Sequence, residues 1–397
     1  MSIEKTLGPI LAKLSDVGKP QRKFMTELFS VILGHQGRAT FANLARYSRL
    51  TELTFRRWFA RHFDWLGFNL ACAGLALSDC IGVVDCSFLP KSGSATYGLD
   101  KFWSSCAGKA LRGLEVSVLA CVEVSTKRCF ALEASQTPPD ATQKEGQGYS
   151  RTDFYLEQIS DCLPRLAELL YWVGDGFYAK KEVFELFARG GRHLITRLRC
   201  DADLYHLWQG GRQPGQRGPT RKYGEKARFD ELGGWVAAGP HPVHGHVSLY
   251  TQVLHSKHFG RRLRVVLLLD NRSQRYVLLA STDPKQQATQ VAYYYHLRFQ
   301  IEILFRDAKQ FTGLTQCQAR SQDKLDHHLN VSLSAVNAAR LMLEEDPTLH
   351  NSMNALVRRM TARRIWEVIY CQLGLEGSVD FNYFDSLKCQ FWHQKAA

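Results

Sequence analysis

The stretch YYYHLRFQIEILFRDAKQFTGL, residues 293–314, decides how the rest of this 397-residue chain is read. At roughly 100° per residue, Tyr295, Arg298, Glu302 and Lys309 fall within about 60° of one another on a helical wheel. Leu297, Ile301, Leu304, Ala308 and Phe311 recur on the opposite side, the apolar stripe of a helix packed onto a core. The buried stripe fixes the helix, so the polar face is held in one direction. A carboxylate flanked by an aromatic hydroxyl and two cations suits a site that holds a metal ion together with a phosphate backbone. The same residues also fit a solvated face with an Arg298–Glu302 i,i+4 pair, worth a few tenths of a kcal/mol.

The charge balance supports an anionic partner. Lys plus Arg number 51 against 38 Asp plus Glu, a net charge of +13, and nucleic acid is the leading candidate for that partner. The cations are spread along the chain, which fits a long groove better than a basic arm. No basic amphipathic helix suggests a membrane surface, and nowhere do about 18 apolar residues run together. The opening MSIEKTLGPILAKLSD has charges where a secretory signal needs an unbroken apolar run. The eleven cysteines are odd in number and include no CxxC pair. Cys72, Cys80, Cys86 and Cys121 sit among apolar residues, where a reduced thiol behaves as a small hydrophobe. His327 and His328 lack a cysteine pair at zinc-ligand spacing. A reduced, cytoplasmic protein is the expectation.

A chain of this length is expected to divide into two or three units, because single cores rarely grow beyond roughly 250 to 300 residues. Residues 1–80 read as a helical N-terminal DNA-binding domain, with Phe24, Leu28, Val31 and Ile32 on one face. Residues 40–45, a turn near 48–50 and a second helix from Thr51 bearing Arg56, Arg57 and Arg61 have the length and polarity of a helix-turn-helix. A helical hairpin with solvated arginines is the alternative. Residues 81–84 read as a short buried strand ending at Asp85. A polar, glycine-bearing loop follows, in which Lys91, Ser92 and Lys101 are candidate DNA backbone contacts, and then a β-hairpin over 114–124 and 129–133. Residues 135–150 are loop by their Pro and Gly content. After a helix, the apolar strand 169–174 ends at Asp175, and helix 179–188 and strand 193–198 complete this first part of the core, 81–199.

Residues 200–275 read as a β-rich insertion with a basic, Gly- and Pro-rich loop and strands at 247–254 and 263–269. The core resumes over 276–320 with a strand at 276–280 and the Glu302 helix. Residues 321–397 are read as helical, with a basic patch at Arg358, Arg359, Arg363 and Arg364. The fold class is therefore α/β: a ribonuclease H-like catalytic core interrupted by a β-rich insertion, with helical N-terminal and C-terminal regions.

Taken singly, Asp85 and Asp175 are weak candidates, since a strand-ending Asp is commonly a turn former. Asp270 ends RVVLLLD in the same way, but it opens DNRSQR between two strands, and a turn role explains it.

The spacing of Tyr295, Arg298, Glu302 and Lys309 resembles the Tyr-Arg-Glu-Lys signature of the DDE transposases of bacterial insertion sequences, in the insertion-sequence-four group. The likeness continues through YVLLASTDP and FRDAKQFTGLTQCQARS and spans residues 81–339. It departs at Phe299, where Trp is usual. The resemblance implies that Asp85, Asp175 in GDGFY and Glu302 form an acidic triad for Mg²⁺, with Mn²⁺ able to substitute and two ions expected. It implies that Tyr295, Arg298 and Lys309 contact the transposon end, and that an aromatic of the insertion, Trp208 or Trp235, stacks on a flipped base. DNA ends would be cleaved and their 3′ ends joined to target DNA by a homodimer. A nuclease without strand transfer, and a non-catalytic DNA-binding derivative, are the competing expectations.

Overall fold

The computed structural model describes residues 2–139, 148–211, 215, 217, 218 and 221–374. Five helices come first: α1 (Ile3–Lys13), α2 (Lys19–Gly34), α3 (Phe41–Arg46), α4 (Glu52–Trp58) and α5 (Trp65–Ala73). Strands β1 (Cys80–Pro90), β2 (Asp100–Ser104), β3 (Lys109–Glu123) and β4 (Cys129–Gln136) follow. Next come α6 (Arg151–Cys162), β5 (Tyr171–Gly174), α7 (Lys181–Arg189) and β6 (His193–Leu198). Six strands succeed them: β7 (Leu204–Leu207), β8 (Tyr223–Lys226), β9 (Val236–Pro240), β10 (Val247–Ser256), β11 (Arg261–Asp270) and β12 (Tyr276–Ser281). Helices α8 (Ala288–Leu297), α9 (Phe299–Phe311), α10 (Gln322–Glu345) and α11 (Met353–Gln372) complete the described chain.

Among the described residues, the strands join one mixed sheet in the order β2-β3-β1-β5-β6-β12-β11-β10-β7-β8, with β4 also on β3 and β9 on β10. β1, β5 and β6 run parallel, and α7 supplies the crossover that parallel neighbours require. Strand alternation divides the core between the two faces. Ile81, Val83, Val116 and Val118 point into a cluster with α2, α9 and α10, whereas Val84, Leu119 and Trp172 pack with Tyr155, Ile159, Phe184 and Phe187 of α6 and α7.

Several sequence expectations are corrected here. β1 does not stop at Asp85. It runs on to Pro90 because β3 pairs with it along its whole length, from Cys80↔Glu123 to Pro90↔Gly113. The loop expected after it contains β2, which carries Lys101. The strands within residues 200–275 extend the sheet, β11 pairing with β12 and β12 with β6. The long Glu302 helix is two helices meeting at Arg298. There the Arg298 N–H donates to the Tyr295 carbonyl at 3.2 Å and the Ile301 N–H to the Arg298 carbonyl at 3.1 Å, three-residue bonds that tighten the turn.

The N-terminal helices share a core with the sheet. Phe24, Leu28, Val31 and Ile32 of α2 lie in the same apolar cluster as the sheet and α10. The Asn69 amide of α5 donates to the Leu132 carbonyl at 3.0 Å, and Asn337 of α10 donates to Asn69 Oδ1 at 2.8 Å. The basic patch expected in α11 is mostly neutralised: Arg359 pairs with Asp346, Arg363 with Glu367, and Arg364 with Glu27 and Glu367. Parts of the loops expected at 135–150 and in the insertion, and the helix expected beyond 374, lie outside the described residues.

Candidate active site

β1 and β5 are parallel neighbours with Val84 opposite Gly174, so the residues that come next are Asp85 and Asp175. Gly82, opposite Trp172, permits this approach, because a Cβ there would run into the indole ring. Asp85 stays within its strand and its Oδ1 accepts from the Cys86 N–H at 2.8 Å. Asp175 leaves its strand and caps a short 3-10 turn, accepting from the Phe177 N–H at 2.9 Å. Thr196 Oγ1 of β6 donates to the Asp175 carbonyl at 2.6 Å and so holds that turn against the next strand.

The third carboxylate comes from α9. Leu297, Ile301, Leu304 and Ala308 are buried, which fixes the helix pair on the sheet. Arg298 then points back across β1: its Nη1 meets Asp85 Oδ2 at 2.9 Å and its Nη2 meets Glu302 Oε1 at 2.9 Å. The Glu302 side chain remains 43% exposed. Burial raises the Asp85 carboxyl to about 7; Arg298 and the Cys86 N–H oppose that rise, and the charges of Asp175 and Glu302 add to it. Tyr295 is pushed up by burial and lies within electrostatic reach of Arg298, Arg197 and Asp175.

The remaining candidates divide. Lys309 donates to Ser87 Oγ at 2.8 Å and to the Phe88 carbonyl at 3.2 Å, so its amine docks α9 onto β1. Burial pulls its pKa down. The Lys91 amine is bonded to the Cys317 carbonyl. Arg56 is held by Glu52 at 2.8 Å and lies over the Phe41 ring, whereas Arg57 is exposed. Arg61 is not on the helix as expected. α4 ends at Trp58, the Arg61 N–H closes a turn onto the Trp58 carbonyl, and its guanidinium stacks on that indole at 4.4 Å.

Trp235 is corrected as a stacking candidate: it is 8% exposed, and its indole N–H donates to the Arg228 carbonyl at 3.1 Å. Trp208 is 38% exposed, with the Arg221 guanidinium 4.6 Å from its ring. Asp270 is engaged in its own turn, accepting from the Arg272 N–H at 2.8 Å and from Ser273 Oγ at 2.9 Å. Arg197 and Thr196 were not singled out from sequence. Their contribution depends on which neighbour β6 takes, and one strand's alternation does not reveal that.

Among the described residues, no three His, Cys, Asp or Glu side chains are grouped so as to hold a metal ion. The Arg298 guanidinium supplies the positive charge between Asp85 and Glu302 instead. The donor chemistry nevertheless fits a hard divalent cation, which prefers carboxylate oxygens. A carboxyl whose ionisation is resisted by burial and by two neighbouring acids is one that a cation would favour.

The profile of the family described as Transposase DDE domain matches residues 77–338, and the chain belongs to this family of DDE transposases. The family implies DNA as the partner. No curated protein matches the sequence significantly. No helix among the described residues is long and apolar enough to cross a membrane.

Proposed function

We propose that this transposase is of the insertion-sequence-four type, that it binds the terminal inverted repeats of its own element, cleaves the DNA ends and transfers the 3′ ends to target DNA, acting as a homodimer on DNA. The observation that carries this reading is the parallel register that sets Asp85 beside Asp175, with Glu302 joined to Asp85 through Arg298. The order β4-β3-β1-β5-β6, with its last three strands parallel, supports a ribonuclease H-like core. The strands of residues 200–275 then form its insertion.

Asp85, Asp175 and Glu302 would hold two Mg²⁺ ions, or Mn²⁺ in their place, which when bound stabilise charge on the attacking and leaving oxygens of an in-line displacement. Arg298 exchanges its carboxylate partners for a phosphate beside the scissile bond, and the Tyr295 hydroxyl donates to a phosphate oxygen. Lys309 holds α9 on β1 and thereby sets the height of Glu302. Lys91, Arg56 and Arg57 contact the backbone farther away, and Trp208 stacks on an extruded base.

The test is a pair of assays on an end-sequence duplex, cleavage and joining of pre-cut ends. Glu302→Gln is expected to abolish both and to leave gel-shift affinity nearly intact. Cleavage without joining by the unaltered protein would favour a nuclease, and end binding without either reaction a non-catalytic DNA-binding protein.

A further inference from the structure

β3 outlasts its pairing with β1. That pairing ends where Gly113 meets Pro90, and the earlier part of β3 forms a hairpin with β2, the edge strand of the sheet. Residues directly opposite in an antiparallel pair share a face, as do alternate residues of one strand. Asp85 is opposite Val118, so stepping back along β3 by twos, through Val116 and Leu114, reaches Arg112 and Ala110 on the face that carries Asp85. Their partners on β2 are Lys101 and Trp103. Leu114, Val116 and Val118 are buried in the cluster shared with α9 and α10, whereas Lys101, Trp103, Ala110 and Arg112 are exposed. Arg112 precedes Val118 by six residues, roughly 20 Å at about 3.3 Å per residue, or about six base-pair steps of duplex. The hairpin turn comes back toward α9, with Cys106 within electrostatic reach of the Lys309 amine.

Two features of this face are unfavourable in the free protein. Lys101 lies directly opposite Arg112, and like charges opposed across a sheet are destabilising. Neither cation is paired with an acidic side chain among the described residues. Trp103 is 62% exposed, and the small Ala110 opposite leaves its indole uncovered. The other face of the hairpin is anchored. Phe102 is fully buried, the Arg151 guanidinium lies 4.8 Å from its ring, and Arg151 Nη2 donates to the Lys101 carbonyl at 3.3 Å. The anchored face holds Trp103 outward. Cations on an edge strand also guard it against pairing with another sheet, but that role gives no reason for an exposed indole beside them.

Building on the DNA-cleaving reading of the acidic face, we infer that the exposed face of the β2–β3 hairpin binds an unpaired DNA strand beside the cleaved end: Trp103 stacks on a base, and Lys101 and Arg112 take the neighbouring phosphates. A phosphate between the two cations removes their repulsion, and a base covers the indole. In a duplex the bases are stacked on one another, so an exposed indole selects a strand whose bases are free. The two cations act on any sequence, because phosphates carry no sequence information.

The full-length protein is titrated, without divalent ions, into fluorescein-labelled duplex of arbitrary sequence, either blunt or with an unpaired extension of about ten nucleotides. The unaltered protein is expected to bind the extended DNA about tenfold more tightly. Trp103→Ala is expected to remove that preference while keeping its affinity for the blunt duplex and its melting temperature, and Trp103→Phe, which still offers a ring, to retain most of it. Lys101→Ala/Arg112→Ala is expected to lower the slope of log K against log salt for the extended DNA by up to about two units. Equal affinity of the unaltered protein for the two DNAs, an undiminished preference in Trp103→Ala, or an unchanged salt slope in the double variant would overturn the assignment. Binding is read here without cleavage, so a protein that binds as expected but neither cuts nor joins its ends would overturn the transposition reading and leave this surface standing.

Discussion

Arg298, at the junction of α8 and α9, is ion-paired with Asp85 of β1 at 2.9 Å across 213 residues of sequence. The same guanidinium holds Glu302, so one cation lies between two of the three acids. Burial has already raised Asp85 to about 7, with Arg298 pulling in the opposite direction. In Arg298→Met, without divalent ions, the Asp85 carboxyl should titrate higher still, as read by carbon NMR of the side chain. An unchanged titration would show that Arg298 is not its countercharge. If Arg298 passes to a phosphate on binding, the variant should also lower the slope of log K against log salt by up to about one unit.

Gly82 is the position where the approach of β1 to β5 is most exposed to a single change. Gly82→Ala drives a methyl group into the Trp172 indole between the strands that carry Asp85 and Asp175. Overpacking of this kind costs about 1–3 kcal/mol. A lower melting temperature and a loss of cleavage beyond the unfolded fraction are expected. Wild-type values for both would mean that the indole shifts freely.

Cutting the chain just before β1 should not release a folded catalytic unit. α2 and α5 bury apolar residues in the cluster that covers one face of the sheet, and the Asn69–Asn337 pair would lose its α5 partner. A truncated chain beginning at residue 77 is expected to be insoluble or to lack cooperative unfolding by circular dichroism. Asn69→Leu, which leaves the Asn337 amide short of an acceptor, should cost about 1–3 kcal/mol in denaturant titrations.

His327 and Asp326 make opposite contributions to stability against pH. Burial lowers the His327 imidazole from 6.5 to about 3, within reach of Phe59 and Trp65 at ring distances of 4.5 and 5.0 Å. Between those values the unfolded state binds the extra proton, so this contribution is full above pH 6.5 and is lost as pH falls toward 3. Burial raises Asp326 from 3.8 to about 7; here the folded state binds the extra proton, and stability falls as pH rises through that window. Urea midpoints between pH 4 and 7.5 should therefore rise less steeply with pH in His327→Phe and more steeply in Asp326→Asn than in the unaltered protein. Parallel profiles in all three would remove both groups from the account.

Trp208 and Trp235 should separate by assay. Trp235→Ala empties a buried site and should cost about 3–5 kcal/mol of stability. Trp208→Ala should leave the melting temperature near wild type and weaken binding to DNA with an extruded base by about 1–3 kcal/mol.

The sequence alone determined what depends on local periodicity and local chemistry. The apolar stripe from Leu297 to Ala308 was legible because a helix repeats every 3.6 residues, and the buried β5 strand because it is a short continuous apolar run. The turn role of Asp270 was legible because its partners lie within three residues. Only the tertiary structure decided that Asp85 lies inside a strand, since β1 is prolonged by pairing with β3, a segment that reads on its own as a polar loop at its start. It also decided that Arg359, Arg363 and Arg364 are paired, that Lys309 faces β1, and that Trp235 is buried while Trp208 is exposed. Each of these depends on partners far away in the chain or on how neighbouring elements pack. A charge or an indole has the same local signature whether it ends in solvent or against another element, so the pairing of distant segments had to be known first.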